Sequence, residues 1–447
     1  MTGPLGWWFR TPLFLRITLG LALGVIAGLI LGPHWQGDDS SRWMLAITRV
    51  FSEVSRLTLR ILGAIAPVLI LFAVMKSLIS THIQGRVAAR LIYLLLLNTT
   101  VAICIGLLVA NALKPGADSR LGGGHLTPTH TDPLTEFLNS VPSSLLGPLV
   151  EGNSIGVIIL ALSFGLAGRK LPDDKKAAML KGITVGFDLI VLVLYWALEL
   201  VPLAVMCKVA FITTTSGFSP FKSLGRFVLA VLVALLLQSC YYMVRLRWLS
   251  WVRPLQLVSG IRDALVMAFS TDSSAATMPL TYECMINRVG IRQESASLGV
   301  LVGGNFNHDG TALYQAMSTL FIAQLEGFHL SLVQQFMVVV TGVVASVGMA
   351  GIPEAGLVTM ALIFNAVGLP VADIALLLPI DWFLDRCRTT INVLGDTSVA
   401  CLLEGKHKGE LPAQNESPAL VQSIAAEPAA ALFTLDRIIN REGARKK

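Results

Sequence analysis

Charge is what this sequence has least of. Only 14% of its 447 residues are Asp, Glu, Lys or Arg, against about 25% in an ordinary soluble domain. So small a share excludes a soluble enzyme, a disordered chain and a nucleic-acid binder. Cysteine is scarce too: Cys104, Cys207, Cys240, Cys284, Cys387 and Cys401 form no CxxC pair and sit in apolar surroundings or at segment edges. That pattern argues against a metal cage or a disulfide framework and predicts buried free thiols. What the chain has in abundance is apolar length. Runs at 13–31, 61–75, 102–112, 155–167, 227–237 and 337–347 lie in segments that reach or approach the ~20 residues a helix needs to cross a bilayer. They lack the alternation of barrel strands. The first run is too long for a signal peptide and has no small-residue cleavage pattern, so it is expected to stay as a first span.

The formal net charge is +6, and in a membrane protein the positions of the basic residues matter more than their sum. They cluster at Lys76, Arg86 and Arg90, at 169–181, at Arg245, Arg247, Arg253 and Arg262, at Arg288 and Arg292, and at Lys406 and Lys408. The positive-inside rule makes these the cytoplasmic flanks. The Gly/Thr/Pro-rich stretch 114–148 is expected to face outward. Spans are expected near 12–32, 57–80, 88–113, 150–168, 178–212 and 224–248, with Arg42, Arg49 and Arg56 in a loop between the first two. Beyond 404 the chain turns polar and Ala-rich, so the division expected is a membrane part, 1–404, and a disordered cytoplasmic tail, 405–447.

From residue 254 the pattern changes, because polar and Gly/Pro clusters cut the apolar segments. They read FSTDSSAATMP (269–279), GGNFNHDGT (303–311), SVGMAGIPEAG (346–356) and DWFLDRCRTTINVLGD (381–396). Irregular backbone at membrane depth survives only where protein or a watery cavity satisfies it. Two clusters, at 269–279 and 346–356, divide apolar halves too short to span; helical hairpins that enter and leave by one face fit both, and kinked spanning helices are the alternative. In the last cluster, at 100° per residue, Asp381, Asp385, Arg388, Thr389, Asn392 and Asp396 share an arc of roughly 100° on one helix. An ionised side chain at the bilayer centre costs about 2.5–3.5 kcal/mol, so such a stripe must pair internally or bind something charged. Both a salt-bridge lock and a ligand site fit that requirement; the adjoining Thr and Asn oxygens favour a site. Asn305, Asn307 and Asp309 beside Gly310 add the oxygens a hard cation takes in place of water.

These four motifs, in this order, resemble those of the dicarboxylate/amino acid:cation symporters, a family that includes archaeal aspartate transporters and animal excitatory amino acid transporters. The resemblance extends back through 152–167 and 98–117, and its last motif is closer to the animal members. It implies an all-α integral membrane protein with eight transmembrane helices and two re-entrant hairpins. It further implies a homotrimer in which a transport part (88–113 and 224–404) slides as an elevator against a scaffold (12–80 and 150–212). On the family pattern Arg388 pairs with a substrate's side-chain carboxylate, Asp385 with its ammonium and Asn392 with its main-chain carboxylate. Ser274, Thr311 and Thr389, with main chain at Ile352 and Gly356, complete the pocket. Three sodium sets are implied: Gly303, Asn307, Asn392 and Asp396; main chain at Asn305, Ser346, Val347 and Met349; and Asn307, Asp309 and Thr99.

The resemblance is broken at several positions. His308 stands where the family has methionine, and an imidazole takes a proton near neutral pH; it is a candidate proton site. Gln315 replaces a glutamate tied to proton and potassium coupling in animal members. Leu95 and Asn98 replace the Tyr and Thr common near the third sodium set. Asp272 and Arg386 are expected to approach each other, and Glu354 is unusual for a hairpin tip. The function implied is sodium-coupled import of L-glutamate or L-aspartate across a bacterial inner membrane, with no enzyme activity and no nucleic-acid partner. A C4-dicarboxylate or neutral amino acid symporter of the same fold, and an anion channel, are the alternatives.

Overall fold

The computed structural model describes residues 11, 13–35, 40–80, 85–117, 144–151, 154–217, 219–347, 349 and 355–407. Among these residues every regular element is helical. The first half holds α1 (Leu13–Leu31), α2 (Arg42–Ser80), α3 (Gly85–Leu113), α4 (Gly147–Glu151), α5 (Ser154–Arg169), α6 (Asp173–Leu198), α7 (Val201–Ser216) and α8 (Ser219–Leu249). The second half is more finely divided: α9 (Pro254–Gly260), α10 (Arg262–Thr271), α11 (Ser274–Cys284), α12 (Gln293–Ala296), α13 (Asp309–Leu325), α14 (Leu332–Val347), α15 (Ala355–Ala366) and α16 (Leu378–Glu404).

Five stretches among the described residues are long and apolar enough to cross a membrane: Leu15–His34, Arg42–Lys76, Ala89–Leu113, Asp173–Leu198 and Pro220–Leu249. Their outer faces carry exposed Leu23, Val185, Leu229 and Leu236, a surface that lipid stabilises and water does not. Two expected boundaries are corrected. The span at 178–212 is two helices, α6 and α7, because the chain breaks at Glu199–Leu200 ahead of Pro202, which lacks the N–H a continuing helix needs. Glu199 at that break pairs with Arg16 of α1. The loop expected to hold Arg42, Arg49 and Arg56 is instead the first four turns of α2. The outer stretch 118–143 and the tail beyond 407 lie outside the described residues.

α1 packs along α7, and α2 packs against α5, α6 and α7. α3 lies along α13, and α8 lies along α16. α10 and α11 pack on each other as a hairpin. α10, with ten residues, is about 15 Å long at 1.5 Å per residue, half of what a bilayer core requires. Only Asp272 and Ser273 separate the two arms. Asp272 ends α10 in the left-handed region at φ 57°, which a short polar side chain tolerates. Ser273 then caps α11 by accepting the Ala276 N–H at 3.2 Å. α14 and α15 also pack on each other; their tip, with Ile352 and Glu354, lies outside the described residues except for Met349.

Of the four polar clusters, the one at 381–396 does not interrupt its segment: α16 runs unbroken through it. Among the described residues the one at 303–311 interrupts most. A 3-10 turn at Gly303–Asn305 gives way to non-helical backbone at Asn307 and His308 before α13 starts.

Three of the cysteines, Cys207, Cys284 and Cys401, are buried and Cys387 is partly so, but Cys104 and Cys240 are exposed, on the outer faces of α3 and α8. That corrects the expectation that all six are buried.

Candidate functional site

α16 presents its polar arc inward as the 100° spacing requires. Asp381, Asp385, Arg388, Thr389, Asn392 and Asp396 are all buried, and Arg388 is the largest fully buried side chain of the described residues. Its guanidinium lies between two carboxylates of its own helix. Nη1 donates to Asp381 Oδ1 at 3.0 Å, and Nη2 stands 2.6 Å from Asp385 Oδ1. The Tyr314 ring of α13 covers it, with Cζ 4.0 Å from the ring centroid, a cation–π contact. Arg388 Nε, buried, has no hydrogen-bond partner among the described residues. The cluster thus holds a donor and a carboxylate-rich rim that are not fully used internally.

The first hairpin closes on this arc. Thr389 donates its hydroxyl to Asp272 Oδ1 at 3.3 Å, and Arg386 Nη1 donates to the carbonyls of Phe269 and Ser270 at 2.9 and 2.6 Å. Asp272 and Arg386 therefore meet at one tip, but Arg386 holds the carbonyl end of α10, and no ion pair joins the two side chains. Ser274 is buried at the start of α11.

The first turn of α13, just past the unwound stretch, crosses α16 closely. A Cβ at Gly310 would lie 2.7 Å from the Arg388 carbonyl oxygen, so only glycine admits this crossing. The Gly310 N–H donates to Asn392 Oδ1 at 2.8 Å, and Asn392 Nδ2 donates to Thr311 Oγ1 at 3.2 Å. Gly356 lies against Thr311, since a Cβ there would come within 2.9 Å of its Cγ2. The carbonyl of Gly356 accepts from Gln315 Nε2 at 2.8 Å, and the same nitrogen reaches Thr359 Oγ1 at 2.5 Å. Of the expected pocket residues, Ser274, Thr311, Gly356, Asp385, Arg388, Thr389 and Asn392 are brought to the faces of α16, α13 and the two hairpins; Ile352 lies outside the described residues.

The expected cation residues divide into three surroundings. Asn307 Nδ2 donates to Asp396 Oδ1 at 3.0 Å, while Asn307 Oδ1 is buried with no partner among the described residues. Gly303 is buried beside them, and a Cβ at Gly304 would stand 3.1 Å from Asp396 Oδ2. A buried carboxylate with an orphaned amide oxygen at hand fits a hard monovalent cation. In the second set His308 intrudes. Its Nδ1 is 3.1 Å from the Ser346 carbonyl and its main-chain N–H donates to Ser346 Oγ at 3.3 Å. Met349 is buried and Asn305 is exposed; the Val347 side chain lies outside the described residues. In the third set Asp309, fully buried, accepts from Thr99 Oγ1 at 2.7 Å and from the Tyr242 hydroxyl at 2.6 Å.

Tyr242 and Tyr314 are missed by motif reading because each is an aromatic residue in an otherwise apolar helix. The available signal is a hydroxyl that membrane depth would leave unsatisfied. Arg245 is missed for another reason. It reads as a cytoplasmic flank, yet it donates to Asn98, a residue with no exposure.

A model of the sodium:dicarboxylate symporter family matches residues 13–406. The chain is 34% identical over 283 residues to excitatory amino acid transporter 1 of Bos taurus, across 62% of this chain and 51% of that protein. It is 30% identical over 470 residues to neutral amino acid transporter B(0) of Bos taurus, across 95% and 85% of the two chains. To excitatory amino acid transporter 3 of Mus musculus it is 26% identical over 476 residues, across 93% and 90%. The match to excitatory amino acid transporter 1 thus spans about half of that relative's length, whereas the other two run nearly end to end. With the family model covering all but the two ends, the chain belongs to the sodium:dicarboxylate symporter family.

Proposed function

We propose that this chain is a secondary active symporter that imports acidic amino acids, L-glutamate or L-aspartate, on a sodium gradient. The observation that carries the reading is the fully buried Arg388 held between Asp381 and Asp385 under the tip of the first hairpin. An acidic amino acid has one charge more to match than a neutral one, and this cluster has an arginine fork for it. The side-chain carboxylate takes Arg388, whose planar donors suit it; the ammonium takes Asp385. Binding exchanges the Arg388–Asp385 contact for two contacts to substrate, so neither charge is left unpaired in the membrane. Asn392 meets the main-chain carboxylate, and Ser274, Thr311, Thr389 and main chain at Ile352 and Gly356 enclose it. A C4-dicarboxylate offers Asp385 no amine, and a neutral amino acid offers Arg388 no second carboxylate.

Sodium is the co-substrate in this reading, held by Gly303, Asn307, Asn392 and Asp396, with a second ion at the main chain of Asn305, Ser346, Val347 and Met349. α1, α2 and α5–α7 form the scaffold of a homotrimer in a bacterial inner membrane, and α3 with α8–α16 forms the moving part. An anion channel has no use for a buried pair of opposite charges that binds and releases a zwitterion.

Uptake of radiolabelled aspartate into proteoliposomes tests the reading. Saturable, sodium-dependent uptake, competed by glutamate and aspartate and weakly by serine or succinate, is expected; equal competition by serine or succinate would overturn the substrate assignment. A second reading concerns His308, whose buried Nε2 has no partner among the described residues. Its Nδ1 lies 3.1 Å from the Ser346 carbonyl, and on this reading the imidazole carries a proton in the second cation position. Independently imposed sodium and proton gradients separate the two: uptake driven by sodium alone, with no response to a pH gradient, removes the proton.

A further inference from the structure

The third cation set does not have the form of a sodium site. Both carboxylate oxygens of Asp309 accept hydrogen bonds from hydroxyls, Thr99 at 2.7 Å and Tyr242 at 2.6 Å. Oxygen pairs at these spacings are hydrogen-bonded pairs. Thr99 also lies 3.1 Å from the Leu95 carbonyl. Hydrogen bonds from neutral donors do not discharge a carboxylate with no exposure, and a buried charge needs a partner charge.

A built-in cation, Arg245, stands on the same helix as Tyr242. It follows Tyr242 by one turn on α8, and its Nη1 donates to Asn98 Oδ1; Asn98 directly precedes Thr99 on α3. α3 thus meets the carboxylate with Thr99 and the guanidinium with Asn98, while α8 meets the carboxylate with Tyr242 and carries the guanidinium itself. Arg245 is half-buried, with its guanidinium over the Tyr241 ring at 5.1 Å. Asn98 is one of the positions where the chain departs from the family's usual residue. Its amide carries an acceptor farther from α3 than a threonine hydroxyl does, which is what reaching this guanidinium takes.

We propose that Arg245, held by Asn98, is the resident counter-cation of Asp309 and takes the place of one coupling sodium. A guanidinium has the same single charge as the ion, but it travels with the protein and is not released. The chain then binds at most two sodium ions where the family pattern has three. The inference rests on the sodium-symporter reading given above.

Thermal melting of the purified full-length chain in detergent, without substrate, tests it in sodium chloride against choline chloride at equal ionic strength. Arg245→Gln is expected to show a larger sodium-induced rise in melting temperature than the natural chain, by several degrees. Arg245→Lys, which keeps the charge, is expected to respond as the natural chain does, and Arg245→Gln with Asp309→Asn is expected to lose the added rise. Equal sodium responses in the natural chain and Arg245→Gln would overturn the role of Arg245 and leave sodium coupling standing. No response in either protein would overturn both. Should Arg245→Gln not fold, binding of radioactive sodium to the natural chain at saturation decides: two or fewer ions per chain support the proposal, and three refute it.

Discussion

Two kinds of ion pair hold buried charge in this molecule. One kind crosses between elements: Arg16 of α1 with Glu199 after α6, Lys208 of α7 with Asp373 before α16, at 2.7 Å, and Arg292 with Glu404 at the end of α16, at 3.3 Å. The other lies within α16, where Arg388 pairs with two carboxylates of its own helix and forms no ion pair with another element among the described residues. A cross-helix pair fixes where two segments sit; a same-helix cluster fixes nothing of the kind, since α16 is helical without it. Its charges are therefore spared for something else. The difference separates a lock from a site, the two readings open to any buried charge in a membrane helix.

The largest effect should come from Arg388→Ala. It removes the fork for a second carboxylate and leaves Asp381 and Asp385 facing each other unpaired. Aspartate and glutamate uptake in proteoliposomes is expected to fall by more than 100-fold, with serine affected least; equal loss of serine and aspartate uptake would mean that Arg388 is a lock after all. Lys208→Met probes the opposite case. Leaving Asp373 buried without its cation should cost about 3–5 kcal/mol, read as a lowered melting temperature, and adding Asp373→Leu should recover most of it. The KM for aspartate of whatever folded protein remains should not move; a shift in KM would place that pair in the transport path.

Gly310→Ala sharpens the comparison from the packing side. Its Cβ would meet the Arg388 carbonyl oxygen at 2.7 Å, so the first turn of α13 must lift from α16. Overpacking of this kind costs about 1–3 kcal/mol, and because that turn carries Thr311 and directly follows Asn307, the sodium dependence of substrate binding is expected to weaken along with the melting temperature. Ser273→Ala should be the mildest, about 1 kcal/mol for a lost N-cap. Its effect belongs to the hairpin tip, and hydrogen exchange at Ala276 and Thr277 should report it before global melting does.

Much of this was legible from residue order. The inward arc of α16 follows from 100° per residue, and the hairpin at Asp272–Ser273 follows from a Ser/Thr-rich cluster between two half-length apolar arms. Of the expected pocket residues within the described part, Asn392 bonds to Thr311 and Arg388 pairs with Asp385. Legibility ends where a charge looks ordinary. Arg245 reads as one more flank, and Glu199 does not announce that it ends α6. The stretch 178–212 reads as a single span because hydropathy averages over the Glu199 break and because Pro202 is tolerated in the first turn of a helix as readily as it stops one. His308 and Gln315 are visible as departures from the family pattern. That they reach the Ser346 and Gly356 carbonyls is visible only once the second hairpin is folded against α13.

The sequence by itself determined that this is a helical membrane protein, which segments are too short to span, and which face of α16 is polar. Those properties depend on composition and on periodicity within a few turns. Tertiary structure alone decided which charges answer which: Arg245 meets Asn98 from 147 residues away, and Lys208 meets Asp373 from 165. No local rule links such positions. In a medium that solvates no charge, each ionisable group is settled by the partner that folding brings to it, and that partner determines whether it locks the fold, binds cargo or stands in for an ion.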